Sequence, residues 1–225
     1  MDLDIARPDR KRPMSEFFPR RRLLALTLGF CAAPAWAAAP PVVTILGDSL
    51  TAGLGLQSAD AIPAQLQDAL ARLGVKALVR AAGVSGDTSA DGLARVGFSV
   101  KDDTALCLVM LGGNDLLQGV DPAVMRVNLD AIVKSLKARR IRALLVGIKA
   151  PPQIGSGYAR DFDAVVPAVA RAQGVAAFPD LLGKVREDRG LLQGDGVHPN
   201  ARGAKIIAAR LAPAVAAALS SPRTP

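Results

Sequence analysis

The chain has 225 residues, half of them apolar, enough for one domain with a buried core and too apolar for a disordered protein. Its formal net charge is +8, but residues 1–37 hold seven Arg or Lys against four Asp or Glu, which leaves 21 basic and 16 acidic groups, or +5, downstream. Those charges are scattered, and Phe98, Tyr158, Phe162 and Phe178 are the only aromatics beyond residue 37. Nucleic-acid binding needs a basic stripe and stacking platforms, so no such partner is expected.

The N-terminal segment has the layout of a targeting signal. Arg20-Arg21-Arg22 is basic, Leu23 to Ala33 is apolar, and Ala35-Trp36-Ala37 is an A-x-A cleavage site. Residues 1–37 are therefore expected to be a signal peptide, and residues 38–225 an exported domain, periplasmic or secreted. Met14 is a second candidate start. Pro19 to Leu24 loosely resembles a twin-arginine signal, which leaves the export route open. Phe30 before Cys31 argues against a lipoprotein. No ordinary membrane span is expected in the rest of the chain. Cleavage would leave Cys107 as the single cysteine, inside an apolar run, where it reads as a small buried hydrophobe. One histidine and no cysteine cluster leave nothing to build a zinc site, so no metal is expected.

The first element downstream is a short strand, Val42 to Leu46, apolar enough to be buried on both faces. It stops at Gly47, and Ser49 follows just past its carboxyl end. Ala61 to Leu73 carries Ile62, Leu66, Leu70 and Leu73 at helical spacing, with Gly74 as a stop. Val75 to Ala82 is a second strand. The loop Gly83 to Thr88 leads into a short helix near Ala90 to Val96. Thr104 to Leu111 is a third, strongly apolar strand that ends on the loop Gly112-Gly113-Asn114-Asp115. Asp121-Pro122 opens a helix, with Val124, Ile132, Val133 and Leu136 as its apolar face and Asp130 with Lys134 as an i,i+4 pair. Ile141 to Ile148 is a fourth strand, Tyr158 to Gln173 a helix, and Val175 to Phe178 a fifth strand. After the loop Gly194 to Pro199, Asn200 caps a last helix from Ala201 to about Leu219, with Ile206, Ile207, Leu211 and Val215 facing inward. Strand and helix alternate throughout, which predicts an α/β domain of three layers around a parallel sheet.

Four loops that each follow a predicted strand hold the polar residues of interest: Ser49, Gly86, Asn114, and Asp195 with His198. Loops at one edge of a parallel sheet converge in space. Acyl transfer needs a nucleophile, a base, a group that orients the base, and donors for the oxyanion. His198 is the only histidine, and imidazole is the side chain that ordinarily titrates near neutrality. Asp195, three residues earlier, shares a face with it if Gly196 makes a turn. Each residue also has a plainer reading: Ser49 as a helix cap, His198 as a cap or surface group, Asn114 as a turn former, and Gly86 as a supplier of positive φ.

Taken together, the motifs resemble the GDSL, or SGNH, hydrolase family. Gly47-Asp48-Ser49-Leu50 resembles its first block, Ser85-Gly86-Asp87-Thr88 its second, Gly112-Gly113-Asn114-Asp115 its third, and Asp195-Gly196-Val197-His198-Pro199 its fifth. Ile45 to Gly53 and Val84 to Val96 are similar to the periplasmic thioesterase I, lysophospholipase and arylesterase branch. The resemblance implies a flavodoxin-like parallel five-stranded sheet, no cofactor and no metal. It implies Ser49 as nucleophile, His198 as base and then acid, and Asp195 as its orienter. The N–H groups of Ser49 and Gly86 and the side-chain amide of Asn114 would form the oxyanion hole, with glycine at 86 keeping a side chain out of the substrate's approach. A monomer acting on small acyl or aryl esters or thioesters is expected. The alternatives are an SGNH carbohydrate deacetylase and a non-catalytic flavodoxin-like binding module. Few aromatics and the thioesterase-like blocks count against the first, and the complete residue set against the second. The chain lacks the G-x-S-x-G elbow of ordinary α/β-hydrolases and lacks a P-loop. Leu116 to Val120 and Ala150 to Tyr158 are expected to shape the acyl pocket.

Overall fold

The computed structural model describes Met1 and residues 39–221. The expected signal peptide, Met1 apart, lies outside the described residues. The elements in chain order are β1 (Val42–Gly47), α1 (Ser49–Ala52), α2 (Ile62–Arg72), β2 (Leu78–Gly83), α3 (Ser89–Ser99), β3 (Thr104–Met110), α4 (Gly113–Gln118), α5 (Pro122–Ala138), β4 (Arg142–Val146), α6 (Ser156–Gln173), β5 (Ala176–Phe178) and α7 (Ala201–Ser220). The five strands form one parallel sheet in the order β2-β1-β3-β4-β5.

Side chains alternate across the sheet, and each face is covered by helices. Val43 and Ile45 of β1 pack with Ile62, Leu66 and Leu70 of α2 and with Ile207, Leu211 and Val215 of α7. Leu46 of β1 and Cys107 and Val109 of β3 pack on the other side with Val96 of α3, Leu129, Ile132 and Val133 of α5, and Phe162 and Val169 of α6. This is the three-layer α/β/α arrangement of flavodoxin-like folds. Helix α7 is long and apolar enough to cross a membrane by composition, but Ile207, Ala208, Leu211 and Val215 are buried in the core.

Three expectations about facing are corrected. Leu73, Val124 and Ile206 are exposed rather than inward. Leu73 caps the end of α2, and Val124 lies in the first turn of α5. Ile206 is adjacent to the fully buried Ile207, and a helix turns neighbours about 100° apart, so only one of the pair meets the core. Strand β2 begins at Leu78 rather than Val75 and is the half-exposed edge of the sheet.

The chain passes from β1 to β2 on one side and then returns to place β3 on the other. The crevice at such a reversal, outside the carboxyl ends of the strands, is where ligands bind in open α/β sheets. The register brings the relevant loops level, because Gly47 pairs with Gly83 of β2 and with Met110 of β3.

Candidate active site

Gly47 ends β1 because nothing larger fits. An added Cβ would collide with Thr51 Oγ1 and lie 2.9 Å from the Met110 carbonyl oxygen. The chain then enters the short α1, whose N-cap is Asp48: its Oδ1 accepts the Leu50 N–H at 3.0 Å. The capping role considered for Ser49 thus falls to its neighbour, and Ser49 is the first residue of the helix. Asp48 is almost wholly buried. Burial pushes its carboxyl up to about 6, against the opposing pull of the Leu50 N–H and of the His198 charge.

Ser49 Oγ lies 2.9 Å from His198 Nε2, and His198 Nδ1 lies 2.7 Å from Asp195 Oδ2. The turn that makes this possible is set by Gly196 at φ +69° and by Asp195 Oδ1, which accepts the N–H groups of Val197 at 2.9 Å and His198 at 3.0 Å. The same two N–H groups and the imidazole hold the Asp195 carboxyl down to about 2. Asp195 therefore stays an acceptor at neutral pH. Its partner Nδ1 must carry the ring proton, which leaves Nε2 free to accept from the Ser49 hydroxyl. The Asp195 side chain is 45% exposed and that of His198 only 19%. Gln193 ties this loop to the one after α1: its Nε2 donates to the carbonyls of Leu54 at 2.8 Å and Pro199 at 3.0 Å.

Asn114 is tied to the loop that carries Gly86. Asn114, on α4, donates Nδ2 to the Asp87 carbonyl at 2.9 Å. Gly86 adopts φ +93°, and an added Cβ there would meet nothing within 4 Å. A φ of this sign is one that L side chains rarely adopt, so the backbone itself calls for glycine at position 86. Among the described residues, the N–H groups of Ser49 and Gly86 are given to no backbone acceptor. The second and third loops are joined again through Asp115, which accepts from the Ser89 N–H at 2.8 Å and the Ser89 hydroxyl at 2.5 Å, while Asn128 donates to that hydroxyl at 3.0 Å.

A shallow, solvent-open cleft beside Ser49 and His198 is lined by Leu50, Leu54, Leu56, Ile62 and Pro199 together with Gln193. Of the segments expected to shape an acyl pocket, the residues up to Val120 and Tyr158 are linked, since the Tyr158 hydroxyl donates to the Val120 carbonyl at 2.7 Å. Sequence reasoning missed Asp48, Asp115, Gln193 and the pair Asp87–Arg95. One signal was present for the last: Arg95 falls between Gly92 and Val96 on the buried stripe of α3, a charge where apolar residues belong.

The five-stranded parallel sheet with its covering helices is that of the SGNH hydrolases, a class of serine hydrolase enzymes. Residues 45–206 match the model of the GDSL-like Lipase/Acylhydrolase family, and the chain belongs to that family. It is 39% identical over 163 residues to Esterase TesA of Pseudomonas aeruginosa, across 72% of this chain and 81% of that protein. It is 38% identical over 165 residues to Thioesterase 1/protease 1/lysophospholipase L1 of Escherichia coli K12, across 73% of this chain and 78% of the relative. Among solved structures, AlinE4, an SGNH-hydrolase family esterase, superposes with a TM-score of 0.67 at 42% identity, covering 81% of this chain and 98% of that one.

Proposed function

We propose that the protein is an exported serine esterase that hydrolyses acyl or aryl esters and thioesters through an acyl-enzyme. The observation that carries this reading is the hydrogen-bonded line from Ser49 through His198 to Asp195. Ser49 Oγ attacks the acyl carbon while His198 Nε2 takes its proton. The carbonyl oxygen becomes an oxyanion held by the N–H groups of Ser49 and Gly86 and by the Asn114 amide. His198 then gives its proton to the leaving alcohol or thiol. A water molecule enters on the same side, gives its proton to His198, and releases the acid by the reverse sequence. Asp195, ionised throughout, fixes the ring tautomer and stabilises the imidazolium. Residues 1–37 serve as the signal peptide, and residues 38–225 are the exported enzyme. The apolar lining of the cleft favours acyl or aryl groups over sugars.

Hydrolysis of p-nitrophenyl esters from acetate to palmitate, and of matching acyl thioesters, by residues 38–225 tests the reading. The wild type is expected to turn over at least part of the series and Ser49→Ala none of it. Undiminished turnover by Ser49→Ala overturns the proposed nucleophile. A folded wild type that is inert on every acyl ester but active on acetylated xylan overturns the substrate class.

A further inference from the structure

We infer that Arg95 and Asp87 are positioning residues for the oxyanion hole; the inference rests on the reading of Ser49, Gly86 and Asn114 given above. Arg95 is 9% exposed and Asp87 8%. Arg95 Nε donates to Asp87 Oδ2 at 2.5 Å. One Nη donates to the Ala82 carbonyl at 2.9 Å and the Ser99 hydroxyl at 3.2 Å, and the other donates to the Gly47 carbonyl at 2.8 Å.

The targets of this guanidinium are the framework of the hole. Gly47 ends β1 two residues before Ser49. Ala82 lies on β2 four residues before Gly86. Asp87 follows Gly86 directly, and its carbonyl accepts the Asn114 amide. The links also close a ring. The Val84 N–H donates to the Gly47 carbonyl at 3.1 Å, and the Asp87 N–H returns to the Val84 carbonyl at 3.2 Å. The Asp87 carboxylate binds Arg95, and Arg95 binds the same Gly47 carbonyl. The turn that carries the Gly86 N–H is therefore pinned at its entry and its exit to the strand end that carries Ser49.

A buried ion pair is a poor means of gaining stability, because desolvation offsets most of its attraction and an apolar pair of similar shape does as well or better. Its use here is directional. A planar fork with several fixed N–H vectors can hold two strand-end carbonyls and a carboxylate at once, which lysine cannot do. Small displacements of a donor are costly at this point, since a shift of about 1 Å in a reacting geometry can lose roughly a hundredfold in rate.

The test compares Arg95→Lys and Asp87→Asn with wild type on a p-nitrophenyl ester, per folded molecule and well below each variant's melting temperature. Each is expected to lower kcat about 10- to 100-fold with KM within a few-fold, because the loss falls on the transition state. Asn114→Ala is then combined with Asp87→Asn. The loss from removing Asn114 should shrink in the Asp87→Asn background, since Asp87 acts partly through it. A lowered melting temperature with unchanged kcat, or losses that multiply in full, overturns the positioning role. If Arg95→Lys does not fold, Asp87→Asn, which preserves volume, decides alone. Ser49→Ala is assayed alongside. Activity abolished by Ser49→Ala but untouched by Asp87→Asn overturns the positioning role alone, whereas activity that survives Ser49→Ala overturns the esterase mechanism and this inference with it.

Discussion

Two carboxyl groups flank the proposed chemistry, and their surroundings drive them in opposite directions. Asp48 is buried beside Ser49, and burial lifts it from 3.8 to about 6. Between these values the folded protein holds a proton that the unfolded chain has released. Stability therefore falls as pH rises through this window, and above pH 6 the buried charge costs on the order of 3 kcal/mol. Asp48→Asn keeps an acceptor for the Leu50 N–H and removes the charge. Thermal melts should show Asp48→Asn above wild type near pH 7, with the gap closing toward about pH 4; a gap independent of pH would show that the charge is not its cause. Asp195 is the reverse case. Val197 and His198 hold it down to about 2, so its contribution to stability is complete above about 4 and is lost only as pH falls toward 2. Asp195→Asn removes the acceptor that fixes the His198 tautomer. In steady-state assays kcat is expected to drop by about 100-fold or more, though by less than the roughly 10⁴-fold of a fully buried triad, because this carboxylate is 45% exposed. A rate within twofold of wild type would remove Asp195 from the mechanism. The residues that touch in this line were legible because each lies in a short polar string bounded by glycine. Asp87 and Arg95 were not read, because the one local trace, a charge on the apolar stripe of α3, names neither the partner nor the strand-end carbonyls that Arg95 holds.

At the scale of elements, the strands were the most legible features. Runs such as Ala105 to Met110 are apolar without interruption because helices cover both sides of the sheet. Helices α1 and α4 went unread, since four and six residues are too few to display a helical period, and Gly112-Gly113-Asn114-Asp115 has the composition of a turn. On α7 the adjacent apolar residues Ile206 and Ile207 cannot be assigned a face by composition; the packing of α7 on the sheet decides it. That decision is measurable. Ile207 is fully buried and Ile206 is 40% exposed. By urea denaturation, Ile207→Ala should cost about 2–5 kcal/mol and Ile206→Ala less than about 1 kcal/mol. Equal costs would place both residues in the core and contradict the orientation of the helix. The same packing accounts for the hydropathy of α7: its apolar stripe is occupied by β1, α2 and that face of the sheet.

The whole molecule is organised around one sheet whose centre is apolar and whose carboxyl edge is polar, and a single thiol reports on that division. Cys107 lies on β3, between β1 and β4, packed among Val109, Leu129 and Ile132. It is fully buried, and burial pushes its thiol up to about 12. Thiolate is the reactive form, so neither access nor ionisation is available in the native state. The site loops, by contrast, are held by side-chain hydrogen bonds at the edge: Gln193 joins two of them through the Leu54 and Pro199 carbonyls, and Arg95 ties Asp87 to the Gly47 carbonyl at the end of β1. Local motion at the edge and exposure of the centre should therefore be separate events. In the chain from residue 38 onward, Cys107 is the sole cysteine, and its reaction with a disulfide reagent reads the second event alone. The opening free energy from labelling should equal the global unfolding free energy from urea, within about 1 kcal/mol, when reclosing is fast. Substitutions at the loops, Gln193→Ala for instance, should alter turnover far more than labelling. Labelling much faster than global unfolding would mean that β3 and its covering helices part while the rest of the sheet persists, and the rigid base from which Ser49 and Asn114 are presented would then be absent.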